Sequence, residues 1–180
     1  MNTNKKTTLH GNFMIIDQLG VLITGDHGIG KSELSLALMD LGHQFISDDS
    51  VDLCCRDNKI IGTCPDVIDK FMIIAGIGVI NLEKLFTPEA FACEHALQLI
   101  IHLVDPRDMP AIEDPLNPIS KSEKILGIEI PEIIFPASAA KSLPLLIETL
   151  ARNYHLKLNG YDTSVEFTKR HRQASGTTHD

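Results

Sequence analysis

The sequence predicts an α/β domain built around a phosphate-binding loop, and three observations carry that expectation. Gly25-Asp26-His27-Gly28-Ile29-Gly30-Lys31-Ser32 matches the pattern G-x-x-x-x-G-K-[ST] in full. The run before it, Val21-Leu22-Ile23-Thr24, is apolar without alternation, as in a strand buried on both faces. After it, Leu34, Leu38 and Leu41 recur at helical spacing, and Gly42 stands where a helix ends on a left-handed residue.

The remaining elements follow in order. The first ten residues are polar and read as loose chain. Asn12–Asp17 reads as a short strand, and Gln18-Leu19-Gly20 as the turn before the buried one. Phe45-Ile46-Ser47 is strand-like and runs into Asp48-Asp49. Val51–Cys55 and Lys59–Gly62 flank Asp57-Asn58, a hairpin signal. Phe71–Ala75 is an apolar run before Gly76-Ile77-Gly78, and Ala96–Val104 is a second buried-strand pattern. Asp105–Ser122, with Pro106, Pro110, Pro115 and Pro118, reads as a long loop of the functional kind. Ile125–Phe135 resumes strand character. Leu143–Leu158 is helical, with Ser142 as N-cap and Pro144 in the first turn, and Ser164–Arg172 is a last short helix.

Composition bounds the function. At 180 residues, 43% of them hydrophobic and 22% charged, the chain is long enough for one core. One domain over residues 1–173 and a tail over 174–180 are expected. Sixteen Lys and Arg against 24 Asp and Glu give a formal charge of −8, which argues against nucleic acid and anionic membrane as partners. No apolar run approaches the roughly 18 residues of a membrane span. Met1–Thr8 has no apolar stretch after its lysines, so no secretory leader is expected and the cytoplasm is the expected location. Cys54, Cys55, Cys64 and Cys93 form no C-x-x-C pair or zinc spacing and are expected as reduced thiols.

The loop pattern has a chemical reason. Glycines let the backbone wrap phosphate oxygens with N–H groups pointing inward, and the helix N-terminus adds positive potential. Residues Gly25, Asp26, His27, Gly28, Ile29, Gly30, Lys31 and Ser32 are therefore the candidate nucleotide-binding set. Lys31 is expected to reach the outer phosphates and the Ser32 hydroxyl to ligate Mg²⁺. His27 fills an unrestricted position and receives no role.

Phosphoryl transfer also needs a second metal ligand and a base. Asp48-Asp49, after a predicted strand, offers both: one carboxylate for the metal, one to accept a proton from an acceptor hydroxyl. The other reading is a plain turn, which aspartate also favours. His10 on its own reads as an ordinary solvated histidine.

Together these residues resemble the catalytic domain of HPr kinase/phosphorylase, a family that phosphorylates a serine of the phosphocarrier protein HPr and removes that phosphate by phosphorolysis. The resemblance runs from His10 to Phe167. It rests on His10-Gly11, Val21–Glu33, Gly42-His43, Asp48-Asp49 with Val51-Asp52, Gly76–Ile80 and Leu85-Phe86, then on Ile125–Pro131 and Asn153–Tyr161. It implies a fold like that of phosphoenolpyruvate carboxykinase, ATP and Mg²⁺ as cofactors, HPr or an HPr-like protein as acceptor, and a homohexamer. It also implies Asp49 as the base, supported by Asp48 and assisted by His10, with Lys31 on the phosphates and Ser32 on the metal. On this resemblance the chain is expected to correspond to a short version of the family, without its N-terminal regulatory domain.

The chain departs from the family at charged positions. Ile73 and Ala75 stand where the resemblance implies a metal-binding Glu and an Arg, and Pro115 stands where it implies another Arg. Ser138-Ala139-Ala140-Lys141-Ser142 replaces a loop tied to phosphorolysis. Isoleucine cannot ligate Mg²⁺, and phosphorolysis, which must bind an extra anion, loses most. Glu83 or Asp69 is a candidate replacement for the lost carboxylate. Two alternatives stand beside the serine kinase: a nucleotide-binding regulator without catalysis, and a kinase for a different acceptor.

Overall fold

The buried run that leads into the phosphate loop sits at the middle of the sheet. The structure is a computed structural model and describes residues 5–65, 70–138 and 142–175. Its elements are β1 (Lys6–His10), β2 (Asn12–Ile16), β3 (Leu19–Gly25), α1 (Lys31–Asp40), β4 (Gln44–Ser47), β5 (Ser50–Arg56), β6 (Lys59–Thr63), β7 (Phe71–Ile74), β8 (Gly78–Asn81), β9 (Glu94–Val104), β10 (Ser120–Ile125), β11 (Ile128–Pro136), α2 (Leu143–Leu158) and α3 (Thr163–Ser175). The main sheet runs β1-β5-β6-β9-β3-β2-β4, with β11 also on β9 and β10 on β11; β7 and β8 form a separate hairpin.

β3, β9 and β11 are mutually parallel, so Gly25, Val104 and Pro136 end at one edge of the sheet. In open α/β sheets ligands bind outside such carboxyl ends. One face of the sheet is covered by α1, α2 and the β7–β8 hairpin. Met14, Val21, Ile23, Leu34, Leu38, Leu99, Ile101, Ile147 and Ala151 form the core there. On the other face, Phe13, Leu22, Ile46, Val51, Leu53, Ile60, Leu97 and Ile100 pack together, drawing in β5 and β6 over β2 and β3. The sheet therefore folds over itself, and its two ends meet where β1 passes through Gly11 into β2 and where β4 passes through Asp48-Asp49 into β5.

The helix after the loop ends as its sequence predicts. Gly42 has φ +91°, its N–H donates to the Met39 carbonyl at 2.9 Å, and the His43 N–H donates to the Leu38 carbonyl at 3.1 Å. That pair of bonds satisfies carbonyls the helix leaves open. Close approach fixes Gly20: a Cβ there would stand 1.9 Å from the Ala96 carbonyl oxygen of β9. Backbone cannot yield at that distance, so Gly20→Ala is expected to cost about 3 kcal/mol by overpacking, read as a lower urea midpoint.

Several elements differ from expectation. Residues Lys6–His10 are a strand, paired with Ser50–Cys54, because Thr7 and Leu9 find a partner some forty residues away rather than a local one. The first turn is Asp17-Gln18, both left-handed with φ 50° and 68°, and Leu19 and Gly20 already belong to β3. Ala75-Gly76-Ile77 closes a β7–β8 hairpin, and Gly78 already belongs to β8, so Ala75 is turn and not strand. The long loop ends at Ile119, since Ser120–Ile125 pairs with β11, and Leu126-Gly127 turns the chain so that the predicted strand begins at Ile128. Ser142 holds the N-cap position of α2 without a side-chain cap bond. α3 runs to Ser175, so Ala174 and Ser175 are helix; the rest of the predicted tail lies outside the described residues.

Asp162 caps α3. Its Oδ1 accepts the N–H of Ser164 at 3.1 Å and of Val165 at 3.2 Å, and its Oδ2 lies 3.0 Å from Lys157 Nζ. The Ser164 hydroxyl bond, then Lys157, lower its pKa to about 2. An unfolded Asp titrates near 3.9, so the folded state favours the ionised form. The cap's contribution is complete above about pH 4 and is lost as pH falls through about 2. The Tm advantage of wild type over Asp162→Ala is expected to vanish across that window.

Candidate active site

The loop leaves the sheet at Gly25 and returns to regular structure at Lys31. Gly28 and Gly30 have φ +78° and +98°, the left-handed region that glycine enters without steric cost. Gly25, at φ +139°, lies so close to β9 that a Cβ would stand 2.5 Å from the Leu103 carbonyl oxygen. Lys31 is buried, 7% exposed, and folds back so that Nζ donates to the Gly25 and Asp26 carbonyls at 2.9 and 3.0 Å. Asp26, His27 and Gly28 are exposed at the tip, with Ile29 partly buried beneath. A groove of about 320 Å³ runs from Ile29, Gly30, Glu33 and Leu34 to Ala137, Ser138 and Ser142–Pro144, a volume within the range of small-molecule sites.

The meeting of the sheet's two ends brings the other site residues to this loop. β4 is not a neighbour of β3, because β2 lies between them, yet the Asp48 carboxylate reaches the start of α1. Ser32 Oγ donates to Asp48 Oδ1 at 2.9 Å. Burial pushes the Asp48 carboxyl above its ordinary range, opposed first by the Ser32 bond; the Asp49 charge raises it further, and Asn12 and Lys31 lower it. Next along the chain, Asp49 adopts φ +63° and turns its side chain outward. Its Oδ1 lies 3.2 Å from His10 Nε2, and the two side chains are 64% and 56% exposed. The structure thus joins Ser32, Asp48, Asp49 and His10 in one continuous set, with a sheltered carboxylate beside the phosphate loop and a solvent-facing carboxylate beside a histidine.

Hard oxygen donors at the end of a phosphate loop suit Mg²⁺, which takes one or two carboxylates and completes its shell with phosphates and water. Ser32 Oγ and Asp48 are such donors. Among the described residues no group of three or more His, Cys, Asp or Glu side chains forms a metal cage. Ile73 lies on the outer face of the β7–β8 hairpin, 71% exposed. Pro115 lines a different groove, against Tyr154 of α2 and Phe167 of α3. Glu83 is engaged by Lys70 Nζ at 2.7 Å, and Asp69 lies outside the described residues, as do Ala139, Ala140 and Lys141.

Sequence reasoning missed Asn12. It is fully buried in an otherwise apolar strand, and its side chain touches Asp48, the Asp49 backbone and Ser35. The signal was a polar residue in step with Met14 and Ile16, which point into the core: a buried amide requires partners.

A sequence profile described as HPr Serine kinase C-terminal domain matches residues 2–171. The chain is 39% identical over 168 residues to the HPr kinase/phosphorylase of Chromobacterium violaceum, covering 92% of this chain and 52% of that protein. It is 36% identical over 164 residues to the HPr kinase/phosphorylase of Neisseria meningitidis, covering 90% and 51%. The chain therefore spans about half the length of the curated relatives it matches. A solved structure, the Hpr(Ser) kinase/phosphatase from Coxiella burnetii, superposes with a TM-score of 0.83 at 52% identity, covering 89% of this chain and 98% of that one.

Proposed function

The chain belongs to the HPr serine kinase C-terminal domain family, and from that premise we propose that it transfers the γ-phosphoryl group of ATP to a serine hydroxyl of HPr or an HPr-like phosphocarrier protein. The observation that carries this reading is the single peptide link between Asp48 and Asp49. It ties a carboxylate bonded to Ser32 of the phosphate loop to one that faces solvent beside His10.

The roles follow from that arrangement. Backbone N–H groups of the loop and Lys31 hold the phosphates, and Lys31 exchanges its two carbonyl partners for phosphate oxygens of higher charge. Ser32 and Asp48 are the residues that would hold Mg²⁺, which supplies charge neutralisation on the phosphates when bound. Asp49 accepts the proton of the serine hydroxyl as its oxygen bonds to phosphorus and the bond to ADP breaks. His10 holds the Asp49 carboxylate in place and carries a proton donor to the same spot. The open setting of His10 and Asp49 suits a protein acceptor, whose serine has to reach the base from outside.

One observation favours a second reading, a nucleotide-binding regulator without catalysis. Ile73, Ala75 and Pro115 stand where the resemblance implies a carboxylate and two cations, and Ile73 stands bare on the surface. Incubation with Mg-ATP and the HPr-like proteins of the source organism, followed by intact mass, separates the two. A phosphoserine formed by wild type supports the kinase. ATP binding without transfer to any of them supports the regulator. Recovery of transfer by Ile73→Glu with Pro115→Arg would identify a docked but disabled kinase.

A further inference from the structure

We propose that Asn12 is a positioning residue for the transfer, holding both aspartates of the site through one side-chain amide; this rests on the serine-kinase reading. Its Nδ2 donates to Asp48 Oδ1 at 2.6 Å and to Ser35 Oγ of α1 at 2.9 Å, while its Oδ1 accepts the Asp49 backbone N–H at 3.1 Å. The amide's orientation is dictated by its partners, since a carboxylate only accepts and a backbone N–H only donates.

Each bond has a consequence for the site. A non-glycine residue at φ +63° is uncommon and persists where its surroundings determine it. Asp49 is held there from both sides: its N–H by Asn12, and its carbonyl by the Gly11 N–H at 3.1 Å. That conformation reverses the chain so that Asp48 points to Ser32 and Asp49 to His10. The bond to Asp48 occupies the same oxygen that Ser32 uses, Oδ1, and leaves Oδ2 unclaimed by either. The bond to Ser35 anchors the amide to the helix that begins at Lys31. One side chain thus registers the proton acceptor against the phosphate loop.

Packing alone does not call for asparagine here. Its neighbours on the same face of β2 are Met14 and Ile16, both fully buried, and an apolar residue of similar size would fill the space without burying an amide. Its hydrogen-bond partners are two site aspartates and a residue of the loop's own helix, not the surrounding sheet.

The test uses the full chain with Mg-ATP and the phosphocarrier that accepts phosphate. Asn12→Leu is expected to lower kcat about 10²-fold while ATP affinity, measured by calorimetry, changes less than about threefold, because the loop and Lys31 are untouched. In an Asp49→Asn background the same substitution is expected to cost less than about threefold more, since Asn12 acts through Asp49. A purely structural role would instead give equal costs in both backgrounds. Should Asn12→Leu fail to fold, Asn12→Ser keeps a donor for Asp48 but cannot also reach the Asp49 N–H. It is expected to lose about tenfold in kcat with ATP binding retained. Full transfer by either variant, or additive losses with Asp49→Asn, overturns this proposal alone. No transfer by wild type overturns the serine-kinase reading and this proposal with it.

Discussion

Lys31→Ala is expected to reduce phosphoryl transfer by about 10³-fold or more, the scale on which cations at the transferring group act. Among the described residues Lys31 is the one lysine or arginine that is buried, so its charge is poorly screened by solvent and acts at close range on the loop. The loop carbonyls of Gly25 and Asp26 hold its ammonium at the point where the backbone wraps. Alanine leaves those carbonyls near the surface, where water replaces the ammonium, so the fold survives. The measurement pairs transfer, followed by intact mass, with ATP binding by calorimetry and far-UV circular dichroism. Loss of both binding and transfer with an unchanged spectrum is the expected result. Arginine at this position is expected to fail as well, because its planar fork does not reproduce a compact charge on the same two carbonyls.

Asp49→Asn is expected to lower transfer by about 10² to 10⁴-fold, the range of general base catalysis, with ATP affinity retained. The change is nearly isosteric. Asparagine tolerates the left-handed backbone as well as aspartate does, so φ +63° and the N–H bond to Asn12 are kept. What is lost is the ability to take a proton beside His10. Activity retained by Asp49→Asn would move the base to another residue of the same set. His10, 3.2 Å away, would be the first to examine.

Much of this site was legible locally. Lys31, Ser32 and the glycines announced themselves because phosphate binding by a backbone needs glycine at left-handed positions and a helix that begins at once. The leucine spacing and Gly42 gave the helix and its end, since both depend on residues within a turn or two of each other. Asp48-Asp49 could be named but not oriented: the chain bends there, and only the fold shows that one carboxylate faces Ser32 and the other His10. Lys6–His10 was misread because its pairing partner is β5, and nothing within five residues reports that.

The sequence by itself determined the phosphate loop, the buried strand before it, the helix after it, and enough matched positions to assign the family. These are properties of short windows, where backbone conformation, hydrophobic period and motif spacing act directly. Only the tertiary structure decided that β2 separates β4 from β3, that the sheet closes so that His10 meets Asp49, and that Asn12 touches both aspartates. Those contacts join segments that lie far apart in the chain, and they exist because two apolar faces had to be buried at once. The strands fold over Phe13, Leu22 and Leu53 on one side while α1 and α2 cover Val21 and Ile23 on the other. The polar residues at the resulting join, having no apolar surface to bury, are left to bind one another.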